Sequence, residues 1–135
     1  MNAAQAGQAQ EVDQITRRII GGAHTVRNTL GIGFVEKVYE NTLAHTLRKD
    51  GLRVAQQHPI GVTFDGVAVG EFFAEFLAEE RVLVELKAVS LLAQENVAQA
   101  LNYLRATGLE VCLLINFGRS KVEIKRLIPC VYWKA

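Results

Sequence analysis

The sequence predicts an α/β domain in which helices pack on a mixed β-sheet. Half of its 135 residues are apolar, which is enough to bury a core without disulfides or a structural metal. Apolar positions recur with a helical period up to residue 49 and with a period of two from residue 53 to residue 88. A third helix and two more strands follow, so the predicted element order is α-α-β-β-β-α-β-β.

Two amphipathic helices are predicted in the first 50 residues. In the first, residues 13–30, Gly21 and Gly22 lower helix propensity by about 1 kcal/mol each, unless a neighbour must approach closely there. The second helix, at about 34–49, follows chain breaks at Gly31 and Gly33. The apolar stripe of the first helix is Ile15, Ile19, Ala23, Val26 and Leu30. That of the second is Val35, Tyr39, Thr42, Leu43, Thr46 and Leu47.

The segment 53–88 predicts three strands in a meander, with turns at Asp65-Gly66 and around Glu79-Glu80. A helix at 93–107 follows, and Gly108 ends it. Of the last two strands, the first, Val111 to Phe117, is an almost unbroken apolar run and is expected at the centre of the sheet. The second, Val122 to Leu127, alternates and is expected nearer an edge.

Charge and cysteine content exclude several classes of protein. Fifteen basic and fourteen acidic residues give a net charge of +1, so the chain as a whole is not an electrostatic binder of nucleic acid or membrane. The two cysteines, Cys112 and Cys130, are too few for a disulfide framework. Residues 1–12 predict a frayed leader, and 13–135 one domain. No apolar run approaches the roughly 20 residues of a membrane span, so we expect a soluble protein, and the cysteine content fits a reducing cytoplasm best.

The third predicted strand, Val82 to Val89, contains the polar residues Glu85 and Lys87 on one face, while its other face is wholly apolar. Such a strand is covered on both sides, and a buried unpaired charge costs several kcal/mol. If the preceding hairpin pairs Ala78 with Val82 around a three-residue loop, Glu75 lies opposite Glu85. A two-residue loop would place Glu75 on the other face. We predict the three-residue loop.

Two opposed carboxylates repel each other unless a proton or a cation lies between them. Oxygen ligands favour Mg²⁺ or Mn²⁺, and a site with few protein ligands leaves positions for water and phosphate oxygens. Lys87 is then expected to orient a nucleophile or stabilise developing negative charge. The alternative is a structural cluster in which Lys87 neutralises both glutamates, and these residues alone favour neither interpretation.

Polar residues on two helices are further candidates for the same site. Asn96, Gln99 and Tyr103 share one face of the predicted helix 93–107, and Glu36 begins the second helix. Taken singly, Tyr103 is typical of a core aromatic, Gln99 of a solvated side chain and Glu36 of a solvated helix glutamate.

Other polar and aromatic residues indicate no definite site. His24, His45 and His58 lie on separate elements, and the tail aromatics Tyr132 and Trp133 are more typical of packing than of base binding. Near the C-terminus, four basic residues predict either an edge that contacts a phosphate backbone or a solvated strand face. These are Arg119, Lys121, Lys125 and Arg126.

Five segments together resemble the GxxExxY proteins, small bacterial members of the PD-(D/E)XK nuclease superfamily. The segment GFVEKVY at 33–39 is similar to the motif that gives these proteins their name. The other four segments match in order over about residues 13–128. They are ITRRIIG at 15–21, VELKAV at 84–89, AQALNYL at 98–104 and LLINFG at 113–118.

The resemblance implies a restriction-endonuclease-like core with its metal site on adjacent strands. Glu85 and Lys87 match the (D/E)-x-K element, and Glu75 matches the upstream acid, which is usually aspartate in relatives. Gln99 and Tyr103 resemble the Q-x-x-x-Y motif of RecB-type nucleases, and Glu36 resembles their additional acid on an early helix. Asn96 stands where relatives commonly have histidine.

Two functional hypotheses follow from the site and the resemblance. The first is a metal-dependent nuclease, a hydrolase that cleaves DNA or RNA with Mg²⁺ or Mn²⁺ at Glu75 and Glu85. The second is a catalytically inactive nuclease-fold module for binding or assembly. A chain of 135 residues has little room for a separate recognition domain, so we expect a homodimer or a partner protein.

Overall fold

A computed structural model describes residues 2–129, so Cys130, Tyr132 and Trp133 lie outside the described residues. The predicted element order is confirmed. No described helix is both long enough and apolar enough to span a membrane. The elements are α1 (Ala3–Leu30), α2 (Glu36–Lys49), β1 (Val54–Phe64), β2 (Val67–Ala78), β3 (Val82–Lys87), α3 (Gln94–Thr107), β4 (Val111–Asn116) and β5 (Glu123–Leu127).

The five strands form one mixed sheet in the order β1-β2-β3-β4-β5. Neighbouring strands are antiparallel except β3 and β4, which are parallel and are joined by a crossover that contains α3. All six residues of β4 are buried, whereas β5 is partly exposed at the sheet edge. The predicted positions of these two strands, central and near an edge, are therefore correct.

Helices cover both faces of the sheet. On one face, α1 and α2 pack against the apolar side of β3, which contributes Val82, Val84 and Leu86. On the other, α3 packs through Ala100 and Leu104 against the side of β3 that carries Leu83. Because side chains alternate along a strand, Glu85 and Lys87 lie on the α3 face, beyond the apolar contacts of Leu83.

The helix α1 begins at Ala3, ten residues before the predicted start at residue 13. Its Ala- and Gln-rich first turns have high helix propensity, and the Asn2 side chain accepts a hydrogen bond from the Gln5 N–H at 2.8 Å. Val12 is buried, and Glu11 forms an ion pair with Arg81 at 2.6 Å. The segment expected as a frayed leader is thus helical, because it has a cap and contacts with the domain.

The packing of α2 differs from the predicted stripe at its first residue. Val35 is the N-cap residue of α2 and is exposed, while Glu40 and Ala44 are buried. The helix packs closely on α1 at Gly22, where an added Cβ would lie 2.8 Å from a Leu47 methyl group. Gly22 therefore allows α2 to approach α1 closely, which is the condition under which a glycine is expected inside a helix despite its low helix propensity.

Candidate active site

The hairpin between β2 and β3 has the register that the sequence predicted. Ala78 pairs with Val82, and Phe76 pairs with Val84. The loop residues Glu79 and Glu80 both have positive φ, 52° and 57°, and the Arg81 N–H closes the turn on the Ala78 carbonyl at 3.0 Å. Continuing this register by one row places Glu75 opposite Glu85 on the same face.

At this row, side chains replace the regular main-chain pairing of the strands. The Glu75 N–H donates to a Glu85 carboxylate oxygen at 3.0 Å, and the Leu86 N–H donates to a Glu75 carboxylate oxygen at 3.0 Å. On the other side of β2, Gln57 falls between two regular β1–β2 pairs and has a φ of 53°. The strands β1, β2 and β3 are therefore interrupted together, and both carboxylates are fixed by backbone donors.

An open cleft of about 360 Å³ lies over this row. Its walls come from α2, β1, β2, β3 and α3, and it brings together all six residues that the sequence selected. These are Glu36, Glu75, Glu85, Lys87, Gln99 and Tyr103; the remaining lining residues are Lys37, Glu40, Gln57 and Phe73. Their roles in any reaction stay predictions, but their common location is a property of the fold.

Both central carboxylates have pKa values raised above the ordinary 4.5. Burial, and then the charges of Glu85 and Glu36, raise the pKa of Glu75 to about 9. Burial also raises the pKa of Glu85 to about 7, although the Glu75 N–H and the charge of Lys87 oppose this shift. Burial and the same two carboxylates raise the pKa of Tyr103, so its hydroxyl remains a hydrogen-bond donor. The site is therefore short of positive charge.

Lys87 lies at the C-terminal end of β3 and is partly exposed. It forms no ion pair with either glutamate among the described residues, although its charge lowers the pKa of Glu85. The chain that follows Lys87 is fixed by Asn116, whose side chain accepts from the Val89 N–H at 3.0 Å and donates to the Val89 carbonyl at 2.9 Å. Gly118 lies against the same segment, where an added Cβ would be 2.3 Å from the Val89 oxygen.

Glu40 is a residue of the cleft that the sequence analysis missed. It is 2% exposed and accepts hydrogen bonds from Lys37 at 3.1 Å, Gln56 at 2.8 Å and Gln57 at 3.1 Å. A glutamate four residues after Glu36 lies on the same helix face, and this spacing was the signal that would have indicated it. The network joins α2 to the interrupted part of β1.

Tyr39, the last residue of the GFVEKVY segment, has a structural role. It is fully buried and stacks on Phe117, with ring centroids 4.8 Å apart. Its hydroxyl donates to the Gly31 carbonyl at 2.6 Å and accepts from the Phe34 N–H at 3.4 Å. Tyr39 thereby holds the loop between α1 and α2, and with it the position of Glu36 at the start of α2.

A family model for the PD-(D/E)XK nuclease superfamily matches residues 13–127. The chain belongs to this superfamily. The fold is similar to that of an alkaline exonuclease, LHK-Exo, from Laribacter hongkongensis, with a TM-score of 0.52 and 16% sequence identity. The match covers 96% of this chain and 73% of the exonuclease chain. No curated protein matches the sequence.

The three polar α3 residues selected from the sequence of this PD-(D/E)XK domain lie in two places, the cleft and the first turn of the helix. Gln99 and Tyr103 line the cleft, and Tyr103 contacts Phe72 with ring centroids 5.6 Å apart. Asn96 instead accepts a hydrogen bond from the Ala93 N–H at 2.9 Å. The residue at the position that relatives commonly fill with histidine therefore stabilises the first turn of α3.

The carboxylates of this PD-(D/E)XK domain fit a divalent cation by charge and donor type. Two buried glutamates with raised pKa values supply hard oxygen donors, and each carboxylate retains acceptor capacity beyond its one backbone hydrogen bond. Within residues 2–129, no three His, Cys, Asp or Glu side chains form a ready-made cation site. Because the pKa values of both carboxyl groups are raised, binding a cation there is accompanied by loss of protons.

Proposed function

We propose that this PD-(D/E)XK protein is a metal-dependent nuclease of the GxxExxY group, which hydrolyses phosphodiester bonds of DNA or RNA. The observation that carries the proposal is the pair of buried glutamates, Glu75 and Glu85, fixed face to face at the base of an open cleft with raised pKa values. Membership of a nuclease superfamily supports the same reaction.

In this proposal, Glu75 and Glu85 hold Mg²⁺ or Mn²⁺. An ion held there would supply Lewis-acid chemistry, lowering the pKa of a coordinated water and polarising a phosphoryl oxygen. Glu36, which lines the same cleft and whose charge helps to raise the pKa of Glu75, is the additional acid beside this pair. The backbone donors of Glu75 and Leu86 hold the two carboxylates in register on adjacent strands.

The other cleft residues act on the substrate in this proposal. Lys87 carries an ammonium group without an ion pair among the described residues, so it is available to orient an attacking water or to stabilise the developing negative charge. Gln99 and the protonated hydroxyl of Tyr103 supply neutral hydrogen-bond donors to phosphate or sugar oxygens. These two α3 residues therefore position the strand to be cleaved.

The proposal includes assembly and location as expectations. The cleft opens directly to solvent, and the domain is small, so we expect a second copy or a partner protein to help select the substrate. A cytoplasmic location and a bacterial source remain predictions from the sequence and its resemblance.

The test is titration of Mn²⁺ or Mg²⁺ into the wild type and Glu85→Ala by calorimetry, followed by incubation with labelled single- and double-stranded DNA and RNA. We expect the wild type to bind the cation and to cleave one of these polymers, and Glu85→Ala to lose about 100-fold or more in cleavage rate. Glu85→Gln keeps the side-chain volume and should show the same loss.

Glu110→Ala is the matched control, because Glu110 is exposed and lies outside the cleft. It should bind the cation and cleave like the wild type. Absence of both cation binding and cleavage in the pure wild type would contradict the proposal and favour the inactive binding or assembly module.

A further inference from the structure

A second concave surface adjoins the cleft, which we call the hairpin groove. It lies between the outer half of the β1–β2 hairpin and α3, and its volume is about 790 Å³. Its walls are mostly apolar or uncharged. The lining residues used below are Phe64, Val69, Phe72, Ala98, Gln99 and Tyr103.

The hairpin presents aromatic side chains to solvent at this groove. Phe64 is 75% exposed at the end of β1, and Phe72 is 45% exposed on β2. Soluble domains seldom expose several large apolar side chains together unless they bind something there. The β1–β2 ladder runs on to the Phe64–Val67 pair, well past the three β2–β3 pairs.

The hairpin groove is continuous with the cleft. Gln99 and Tyr103 line both, and consecutive residues of β2 face each of them, with Phe73 in the cleft and Phe72 in the groove. The Phe72 ring contacts Tyr103, whose pKa is raised by burial and then by the charges of Glu85 and Glu75. A nucleic-acid strand whose phosphodiester lies at the glutamates therefore has its adjacent nucleotides beside the aromatic side chains of the groove.

We propose that the hairpin groove binds unpaired bases of a single nucleic-acid strand, next to the phosphodiester held in the cleft. This inference rests on the proposed nuclease function and adds the substrate class. Aromatic side chains stack on the face of any base, and the neighbouring Gln99 and Asn102 offer amide groups to base edges.

The chemistry of the groove favours a single strand over a duplex. A duplex stacks its bases inside and presents phosphates outward, whereas single strands expose base faces for stacking. The groove offers aromatic rings in place of a row of cations, and its volume is within the range of about 300–1,000 Å³ for small-molecule sites. It therefore accommodates a few unpaired bases beside the cleft that holds the phosphodiester.

The experiment compares Phe64→Leu and Phe64→Trp with the wild type. Both changes keep an apolar side chain at an exposed position, but only tryptophan keeps a ring that stacks. Binding of fluorescein-labelled oligodeoxythymidine, oligouridine and a DNA duplex is measured by fluorescence anisotropy, with Ca²⁺ as the divalent cation. Ile128→Ala is the control, since Ile128 is 60% exposed and follows β5 at the far edge of the sheet.

We expect Phe64→Leu to weaken binding of one or both single strands about 5-fold to 10-fold, and Phe64→Trp and Ile128→Ala to bind like the wild type. Duplex binding should be equal in all four proteins. An unchanged affinity in Phe64→Leu would overturn the inference, as would an equal loss of duplex binding. A change in sedimentation of Phe64→Leu would also overturn it, because the groove would then contact a second copy of the chain.

The Glu85→Gln variant separates this inference from the proposed function. Loss of cleavage with retained binding of single strands would support both. If Glu85→Gln cleaves like the wild type, the proposed function is wrong, while the Phe64 variants still decide what the groove binds.

Discussion

Glu40 and the pair Glu75–Glu85 are buried in the same cleft, but different groups surround their carboxylates. Glu40 accepts hydrogen bonds from one ammonium group and two side-chain amides. Glu75 and Glu85 each accept one backbone N–H, and burial raises the pKa of both carboxyl groups.

Glu40 is a buried carboxylate that the surrounding donors satisfy, whereas Glu75 and Glu85 are buried beside each other with one backbone donor each. A buried carboxylate with a cation and hydrogen-bond donors is satisfied within the protein. A buried pair that faces its own repulsion is costly unless protonated or bridged by a cation. The protein keeps this energetically unfavourable pair of carboxylates in one row of the sheet. Strongly perturbed buried charges of this kind are typical of functional sites.

The largest expected effect is a pH dependence of stability that belongs to Glu75 and Glu85. Their folded pKa values, about 9 and about 7, lie above the ordinary 4.5. Their protonation therefore stabilises the fold fully below about pH 4.5, and this contribution is lost as pH rises through 7 and 9. Between pH 5 and pH 9, in EDTA, the melting temperature of the wild type should fall by about 4 °C or more relative to the double variant Glu75→Gln, Glu85→Gln.

Parallel melting curves for the two proteins over this pH range would contradict the raised pKa values. The double variant is the appropriate reference because all other titrating groups are the same in both proteins.

The next effect is stabilisation by a divalent cation. At pH 8 and at 100 times its Kd, Mg²⁺ or Mn²⁺ should increase the free energy of unfolding by about 2.7 kcal/mol, and by less at pH 6 because protons compete. Glu75→Gln should lose this stabilisation, whereas Glu40→Gln should retain it. Thermal melts with and without the cation make the measurement, and equal stabilisation of Glu75→Gln would place the cation elsewhere.

Single glutamine substitutions should change stability in opposite directions. In EDTA at pH 8, Glu40→Gln replaces the acceptor of three donors and should lower the free energy of unfolding by about 1–2 kcal/mol. Glu75→Gln removes a buried carboxyl group that must bind a proton on folding at this pH, since its pKa is about 9, and should therefore raise the free energy of unfolding. Urea unfolding decides the point, and a loss of stability in both variants would mean that Glu75 is as well satisfied as Glu40.

The smallest effect concerns the interruption of β1 at Gln57. Gln57→Ala loses the hydrogen bond to Glu40 and keeps the positive φ, whereas Gln57→Gly loses the same bond but adopts that φ without strain. Gln57→Gly should therefore be more stable than Gln57→Ala by about 1 kcal/mol, measured by urea unfolding. The reverse order would mean that position 57 changes conformation when its side chain is removed.

The positions of Glu75 and Glu85 follow from the sequence because strands alternate and a three-residue loop determines the register. Turn chemistry at Glu79-Glu80 and the apolar opposite face of β3 leave little freedom. Glu40 was missed because a glutamate in a helix is ordinarily solvated. Its burial depends on the unusual backbone of Gln57, which no local pattern indicates.

Two other features also depend on contacts that are distant in sequence. The early start of α1 relies on Arg81 meeting Glu11, and the exposure of Val35 follows from the N-cap position that Tyr39 fixes through the preceding loop. The hairpin groove forms between the outer part of the β1–β2 hairpin and α3, two segments whose contact a strand pattern cannot indicate. Local periodicity predicts which face of a helix or strand a residue occupies, but not which residue from another element packs against it.

The clamp formed by Asn116 and Gly118 has a consequence for natural variation and for engineering. Asn116 imitates a backbone partner for Val89, and the contact at Gly118 leaves no room for even a methyl group. A change at either position would alter the course of the chain just after Lys87 without touching a substrate. Loss of activity in a variant at these positions would therefore indicate that Lys87 is displaced. A mutational screen limited to residues that line the cleft would miss Asn116 and Gly118.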